Sequence, residues 1–185
     1  RLCALLAGAG QLDDTIVVIT SDHGTEFFEH GRKGHRQTLY DEVLRVPFVL
    51  RFPGRVPAGG VVNAQTRSID LGPTLLELAG LPPAADVVGE SLLPAMTPNT
   101  AYRPPRAVCE LDSVGIHLRA VRTGKWKFID RVQAGDPLYF DLVKDPGERA
   151  PSSDLGSELG KRSSQAYLEE VQALDAWYGR NPPRV

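Results

Sequence analysis

The stretch TIVVITSDHG, residues 15–24, limits what this chain can fold into more than any other part of its sequence. Residues 15–20 are apolar or β-branched, and such a run predicts a short strand that is buried on both faces. Asp22, His23 and Gly24 follow this run after a single serine. Because the ligands of open α/β sheets bind beyond the carboxyl ends of the strands, the stretch predicts functional side chains at a strand end.

Other segments of the first half complete an α/β pattern. Residues 1–9 predict an amphipathic helix, and residues 48–52 predict a second apolar strand that ends before Pro53. Residues 70–80 predict another helix, with Asp70 as its N-cap. A helix, a turn and a buried strand in succession are the repeating unit of a mostly parallel sheet, so the first half predicts an α/β domain.

The second half has a different pattern. Four strand-like segments separated by Gly, Asp and Pro lie between residues 107 and 145, and residues 163–178 predict an amphipathic helix. The segment VRTGKWKFI predicts a hairpin that turns at Thr123–Gly124. We therefore predict two domains, at residues 1–106 and 107–185, of which the second is a small antiparallel sheet with a helix.

Composition and charge exclude several classes of partner. The net charge is −2, so no excess of positive charge predicts binding to nucleic acid or to an anionic membrane. No apolar run approaches the roughly 20 residues of a membrane span. Cys3 and Cys109 are far apart in the chain and predict neither a disulfide framework nor a metal knuckle. The compartment and the oligomeric state stay open.

Asp22 and His23 are the first candidate site residues. A carboxylate beside an imidazole can bind a divalent cation, and Gly24 lets the backbone turn away without crowding the ion. The alternative is a capped strand end with a solvated acid. Residues 25–38 are polar and hold two further histidines, which indicates a functional loop. His30 in this loop either faces an anion or braces the loop.

Three segments carry a resemblance to a known family. The first is SDHGTEFFEHGRKGHRQTLYDEVLRVPFVLRFPG, with the pattern SDHG, EHG, a basic residue, LYDE and RVP. The second is SIDLGPTLLELAGLP, and the third is GKWKFI followed by LYFDLVKDPGE. In this order and over nearly the whole chain, they resemble the sulfatase family of the alkaline phosphatase superfamily. The resemblance implies the C-terminal part of an alkaline-phosphatase-like α/β fold, with a mixed sheet, flanking helices, and a small antiparallel C-terminal sheet with a helix.

The resemblance also implies roles for residues at matching positions. Asp22 corresponds to a metal-ligand aspartate of the family, and His23 lies where the family has Asn or His as the next ligand. The metal is expected to be Ca²⁺, although a histidine ligand also suits Mn²⁺ or Zn²⁺. Twelve residues after His23 the family commonly has a lysine that contacts the sulfate; here that position is His35, with Lys33 two residues earlier. We therefore expect His35, Lys33 and His30 as the catalytic candidates.

Several other residues have predicted structural roles. Glu26 is expected to be a solvated acid of the loop. Arg45 is expected to anchor a loop carboxylate, such as that of Asp41 or Glu42. The DPGE segment, which ends at Glu148, is typical of a turn and has no chemistry attached to it.

The resemblance implies a nucleophile for which this sequence has no candidate. In the family the nucleophile is a formylglycine, made from the Cys or Ser of a Cys/Ser-x-Pro/Ala-x-Arg motif, and neither Cys3 nor Cys109 lies in such a motif. We therefore expect the chain to be the C-terminal part of a longer protein, with part of a metal site and without the nucleophile. Alone, it is expected not to hydrolyse sulfate esters.

The function implied by the resemblance is hydrolysis of a sulfate ester of a small molecule or carbohydrate. One alternative is a phosphodiesterase or phosphonate monoester hydrolase of the same superfamily, which shares the Asp-His site. Another alternative is a non-catalytic protein that derives from a truncated sulfatase. The nucleophile segment would separate these alternatives, and the sequence does not identify the substrate.

Overall fold

The computed structural model describes residues 1–85, 87–152, 154 and 156–180. The chain forms two compact units, Arg1–Asp22 with Val46–Pro105, and His23–Arg45 with Arg106–Val185. The two domains predicted at residues 1–106 and 107–185 stay a prediction. Among the described helices, none is both long enough and apolar enough to cross a membrane.

The helices and strands of the described residues are short except for one C-terminal helix. The α-helices are α1 (Leu2–Gly8), α2 (Asp41–Leu44), α3 (Leu71–Leu78), α4 (Leu93–Met96) and α5 (Glu158–Arg180), and a 3₁₀ turn at Ser68–Asp70 precedes α3. The strands are β1 (Val17–Thr20), β2 (Glu26–Phe27), β3 (Lys33–Gly34), β4 (Phe48–Arg51), β5 (Ala107–Ser113), β6 (Ile116–Arg122), β7 (Trp126–Arg131) and β8 (Leu138–Asp141).

In the first unit, β1 and β4 pair with each other in an antiparallel manner, with Val18 opposite Leu50. The expectation of a mostly parallel sheet is wrong for these two strands. Ile19 and Val49 are 59% and 55% exposed, so the strand predicted to be buried on both faces is not buried here. No other strand of the described residues pairs with β1 or β4.

The helix predicted after Asp70 is confirmed as α3, but the side chain of Asp70 does not cap it. The Asp70 carboxylate is fully buried and accepts hydrogen bonds from Arg67, at 3.1 Å from Nε and 2.7 Å from Nη2. It also accepts the backbone N–H of Glu90 at 3.0 Å. Asp70 therefore holds a later segment of the same unit against the start of α3, and the guanidinium group balances its charge.

In the second unit, β5, β6, β7 and β8 form a four-stranded antiparallel sheet in sequence order. β6 and β7 form the predicted hairpin, in which Thr123 Oγ1 accepts the N–H groups of Lys125 and Trp126. α5 packs on β6 and β7, and the ring centroids of Tyr167 and Phe128 are 4.9 Å apart. The predicted antiparallel sheet with a helix is therefore confirmed.

A buried lysine connects this sheet to residues 23–45 of the same unit. Lys127 on β7 is 0% exposed, and its Nζ lies 2.6 Å from Asp41 Oδ1, 2.6 Å from Glu148 Oε1 and 3.1 Å from the carbonyl oxygen of Leu39. Three acceptors thus surround an ammonium group that has three donors. Arg122 on β6 donates two hydrogen bonds to Asp41, at 2.9 and 2.6 Å. Lys127, Arg122, Asp41 and Glu148 together form what we name the Lys127 cluster.

The Lys127 cluster corrects two expectations. Arg45 is not the anchor of Asp41, because Arg122 and Lys127 bind that carboxylate from the sheet. Glu148, at the end of the DPGE segment, is 2% exposed and accepts the backbone N–H of Asp41 at 2.6 Å. The DPGE segment is a turn, as predicted, with the Glu148 N–H donated to the carbonyl oxygen of Asp145, but its glutamate in addition binds Lys127 and the first residue of α2.

Removal of Lys127 alone should strongly destabilise the second unit. Lys127→Ala leaves the buried carboxylate of Glu148 without its cation, while Asp41 keeps Arg122. The loss of one partner of a buried ion pair typically costs about 3–5 kcal/mol. The free energy of unfolding, measured by urea denaturation, should fall by that amount. Lys144→Ala is the matched control, because Lys144 is 85% exposed, and it should change this free energy by less than about 0.5 kcal/mol. Equal effects of the two substitutions would contradict the prediction.

The contribution of Asp41 to stability should depend on pH. Burial by itself raises the pKa of Asp41, but the hydrogen bonds and charges of Arg122 and Lys127 outweigh it and lower the pKa from 3.8 to about 2. A carboxyl group with a lower pKa in the folded chain stabilises the fold above its unfolded pKa, and this contribution is lost as the pH falls through the folded pKa. The difference in unfolding free energy between wild type and Asp41→Asn should therefore shrink between about pH 4 and pH 2.

The pKa of Glu148 is shifted in the opposite direction from that of Asp41, so the measurement must separate the contributions of the two carboxyl groups to stability. Burial raises the pKa of Glu148 in spite of Lys127, so its own contribution is lost as the pH rises through the folded pKa. Because Glu148 is present in both wild type and Asp41→Asn, the difference between them reports mainly Asp41. Unfolding curves recorded at a series of pH values give this difference, and a difference that stays constant down to about pH 2 would refute the prediction.

Candidate functional site

Asp22 lies two residues beyond the end of β1 at Thr20. Its side chain is exposed, and Oδ1 accepts a hydrogen bond from Ser21 Oγ at 3.3 Å. An exposed carboxylate at the end of a strand is accessible to a cation. Asp22 belongs to the first compact unit, while the other four candidates belong to the second. A site shared by all five therefore stays a prediction.

Gly24 fixes the chain immediately after His23. Its N–H donates a hydrogen bond to the carbonyl oxygen of Val43 at 2.8 Å, which fastens the turn to α2. A Cβ atom on Gly24 would lie 2.1 Å from the carbonyl oxygen of Glu42. The glycine of the Asp-His-Gly stretch is therefore required by this close approach of two backbone segments.

His23 and His35 lie against each other. Their ring centroids are 4.0 Å apart, and the ring planes differ by 23°. Nδ1 of His23 lies 2.9 Å from the carbonyl oxygen of Gly24. Since a carbonyl oxygen only accepts hydrogen bonds, this contact requires the proton on Nδ1 and leaves the lone pair of a neutral ring on Nε2, the arrangement typical of metal-ligating histidines. The spacing of 12 residues thus brings the two predicted imidazole groups together.

His30 has a different environment from His23 and His35. Its ring stacks on Tyr40, with centroids 3.7 Å apart and planes that differ by 17°. His30 Nε2 lies 3.3 Å from Glu42 Oε2, and the histidine side chain is only 10% exposed. Through these two contacts His30 holds its loop against Glu42 in α2 and against Tyr40, the residue before α2. The structure therefore places His30 where it braces the loop, which is one of the two roles that the sequence left open.

Lys33 is exposed on β3, directly opposite Phe27 on β2. It reaches solvent from the same loop that carries His35 two residues later. Its ammonium group is accessible to an anion, which its predicted role requires.

Glu26 differs from its expected role as a solvated acid. It is 1% exposed, and its Oε2 accepts a hydrogen bond from Thr38 Oγ1 at 2.8 Å. Its Oε1 has no hydrogen-bond partner within the described part of the chain. Sequence reasoning missed this residue because acids are usually exposed and phenyl rings usually buried. In β2 the acid is buried and the neighbouring Phe27 is 64% exposed.

The described residues do not bring together a complete set of metal ligands. Among residues 1–85, 87–152, 154 and 156–180, no three or more His, Cys, Asp or Glu side chains are grouped so that they could hold a metal ion. Asp22 and His23 have suitable donor atoms, but they supply only part of the six to eight ligands that Ca²⁺ usually takes.

Substitution of Gly24 should destabilise the turn that carries His23. In Gly24→Ala the new methyl group meets the carbonyl oxygen of Glu42, a backbone atom that moves only together with α2. Overpacking of this kind costs about 1–3 kcal/mol, and thermal unfolding should show a lower Tm. Gly72→Ala is the matched control, because nothing lies within 4 Å of its added Cβ and alanine favours the helix. A Gly24→Ala protein as stable as Gly72→Ala would contradict this account.

Comparison with known proteins identifies the family. Residues 1–81 match the model of the sulfatase family. The N-acetylglucosamine-6-O-sulfatase of Bacteroides thetaiotaomicron is 38% identical over 193 residues, which cover 99% of this chain and 34% of that protein. The chain therefore spans about a third of the length of this relative.

Solved structures of similar fold include both sulfatases and phosphonate hydrolases. The structure of BT4656 in complex with its substrate D-glucosamine-2-N,6-O-disulfate has a TM-score of 0.81 and 27% identity, and the match covers 99% of this chain and 38% of that one. A phosphonate monoester hydrolase of Agrobacterium radiobacter has a TM-score of 0.70 and 27% identity, over 97% of this chain and 38% of that one.

These similarities confirm the predicted fold class, the C-terminal part of an alkaline-phosphatase-like α/β fold with a small antiparallel sheet and a helix. They extend over almost the whole chain and agree with the family match in its first 81 residues. The order of the three sequence segments is thus that of a single family, and the chain belongs to the sulfatase family.

Proposed function

We propose that the protein hydrolyses sulfate esters of a small molecule or carbohydrate. The relative from Bacteroides thetaiotaomicron is an N-acetylglucosamine-6-O-sulfatase by name, and BT4656 has a sulfated glucosamine as its substrate. Within this chain the proposal depends most on one contact, the stacking of His35 on His23 at 4.0 Å. This contact supports a common site for two imidazole groups directly after the Asp22-His23-Gly24 turn.

Asp22 and His23 are proposed as ligands of a divalent metal ion. The exposed carboxylate of Asp22 and the Nε2 lone pair of His23 are suitable donors, while the remaining ligands would come from outside the described residues or from water. Ca²⁺ is the first choice because it prefers oxygen ligands, and the imidazole also suits Mn²⁺ or Zn²⁺. A bound divalent ion would supply Lewis-acid stabilisation of negative charge on the sulfate oxygens.

His35 and Lys33 are proposed to contact the sulfate group itself. A protonated imidazole or an ammonium group donates charge-assisted hydrogen bonds to sulfate oxygens, and such bonds matter most where negative charge develops in the transition state. Lys33 is exposed, and His35 is held in place by His23. His30 is the third catalytic candidate, and its packing against Tyr40 supports an indirect contribution in which it holds the loop in position.

The nucleophile is proposed to be a formylglycine that lies outside residues 1–185. None of the Cys and Ser residues of this sequence lies in a Cys/Ser-x-Pro/Ala-x-Arg motif. A nucleophile that becomes covalently attached to the substrate cannot be replaced by residues that only position it. The proposed activity therefore belongs to a protein that supplies this group together with residues 1–185.

Phosphonate monoester hydrolysis is the second candidate function. The similarity to the hydrolase of Agrobacterium radiobacter supports it, because the two structures share a fold over 97% of this chain. Sulfate and phosphonate groups are both tetrahedral anions, so the same metal ligands and cations could serve either reaction. A non-catalytic protein is the third alternative and would have no activity towards either ester.

Hydrolysis of an aryl sulfate by the product of the complete reading frame tests the proposal. Asp22→Ala removes a metal ligand, and His35→Ala removes a donor to the sulfate, so each should lower kcat/KM by about 100-fold or more. His117→Ala is the matched control, because His117 lies on β6, is 48% exposed and pairs with Asp112 at 2.8 Å. This control should leave kcat/KM unchanged.

The same assay separates the alternatives. Full activity of both Asp22→Ala and His35→Ala would overturn the assignment of the site. Faster hydrolysis of an aryl phosphonate than of an aryl sulfate would favour the second candidate function. Residues 1–185 alone, with or without Ca²⁺, should show no turnover above background, and turnover that disappears in Asp22→Ala would require a nucleophile within these residues.

A further inference from the structure

Glu26 is a buried acid that has no part in the proposed chemistry. It is 1% exposed, and its Oε2 accepts a hydrogen bond from Thr38 Oγ1 at 2.8 Å. Its Oε1 has no hydrogen-bond partner within the described part of the chain. A buried carboxyl oxygen without a partner lowers the stability of a fold, so packing alone would favour an apolar side chain at this position.

Glu26 holds the chain on both sides of His35. In the antiparallel pair of β2 and β3, Glu26 lies directly opposite Gly34, the residue before His35. Its carboxylate accepts the hydroxyl hydrogen bond of Thr38, three residues after His35. The backbone of one residue and its side chain thus fasten both ends of the segment 34–38.

Thr38 lies at the edge of the core of the second unit. It is 8% exposed, and the next residue, Leu39, is 4% exposed and packs in the hydrophobic core of the four-stranded sheet. The carbonyl oxygen of Leu39 also accepts a hydrogen bond from Lys127 Nζ at 3.1 Å. The hydrogen bond between Thr38 and Glu26 therefore connects β2 and β3 to the sheet.

The ring of His35 depends on this backbone for its position. His35 is only half-buried, the two residues after it are exposed, and the His23 ring on which it stacks is exposed as well. A stack of two rings at the surface is a weak interaction by itself. Because three residues between two fixed points have few accessible conformations, the two attachments to Glu26 lower the entropic cost of keeping the rings together.

We infer that Glu26 is a positioning residue for His35. Its backbone and its carboxylate hold residues 34–38, and this keeps the imidazole of His35 against that of His23. The inference rests on the proposed function in one respect, because it takes His35 to contact the sulfate group. A donor to the transition state must be held in place, since a small displacement of a catalytic group lowers the rate strongly.

The NMR signals of the histidine rings in the full chain report the position of His35 directly. In the wild type, the His23 ring at 4.0 Å shifts the signals of the His35 imidazole through its ring current. His23→Ala gives the positions of the same signals without this neighbour. All spectra are recorded at one alkaline pH, so that protonation does not contribute to the differences.

Three variants separate the hydrogen bond from the stability of the fold. Glu26→Met/Thr38→Val replaces both partners by apolar side chains of similar shape, a change that should leave Tm nearly unaltered. Its His35 signals should nevertheless move most of the way towards their positions in His23→Ala. Glu26→Gln keeps an acceptor for Thr38 Oγ1, and its His35 signals should stay near those of the wild type. Glu158→Met is the matched control, because it removes an exposed carboxylate of the same unit.

Thr38→Val alone removes the same hydrogen bond with a smaller change and serves as a second test. Its His35 signals should move in the same direction as those of Glu26→Met/Thr38→Val. Wild-type positions of the His35 signals in both variants would overturn the inference. Equal signal shifts in Glu158→Met would do the same, because the effect would then not depend on Glu26.

Kinetics of the complete protein separate this inference from the proposed function. Glu26→Met/Thr38→Val should lower kcat for an aryl sulfate about tenfold or more and change KM by less than about twofold, while Glu158→Met changes neither. If the His35 signals move and kcat does not, Glu26 positions His35, but the proposed contact of His35 with the sulfate is refuted. If the signals stay and hydrolysis still requires His35, the proposed function stands and the positioning role of Glu26 is refuted.

Discussion

A fully buried ammonium group organises the second unit. The Nζ atom of Lys127 lies 2.6 Å from a carboxylate oxygen of Asp41 and 2.6 Å from one of Glu148, and such partners offset the cost of burying an amino group and two carboxyl groups. Asp41 begins α2, and the carbonyl oxygen of Val43 in α2 accepts the N–H of Gly24. The ion pair of Lys127 and Asp41 thus holds the start of α2, and α2 in turn holds the turn that carries His23. This ion pair takes no part in the proposed chemistry.

The parts of the fold that could be predicted are those whose cause is local. The turn at Thr123–Gly124 and the alternation around it predicted the hairpin of β6 and β7, because a strand pattern and its turn lie within a few residues. The partners of Asp41 could not be predicted in the same way. Arg122 and Glu148 are 81 and 107 residues away in sequence, and Arg45 was the nearer choice of cation.

At the candidate site, residue identity was easier to predict than burial. The resemblance to the sulfatase family implied that His23 and His35 serve one site, and their rings are in contact. Hydrophobic periodicity could not predict that Glu26 is buried and Phe27 exposed, since a two-residue strand has too few positions for a periodic pattern.

The long separation between Asp41 and its partners has a consequence for the order of synthesis. Residues 23–45 leave the ribosome well before Lys127, and Glu148 follows Asp41 only after 107 residues. Until then, the backbone N–H of Asp41 at the start of α2 lacks its acceptor Glu148, although the two cations that bind the Asp41 carboxylate, Arg122 and Lys127, have already been synthesised. A nascent chain interrupted before the DPGE segment would contain every candidate catalytic residue but not Glu148, which accepts the backbone N–H of Asp41 at the first residue of α2.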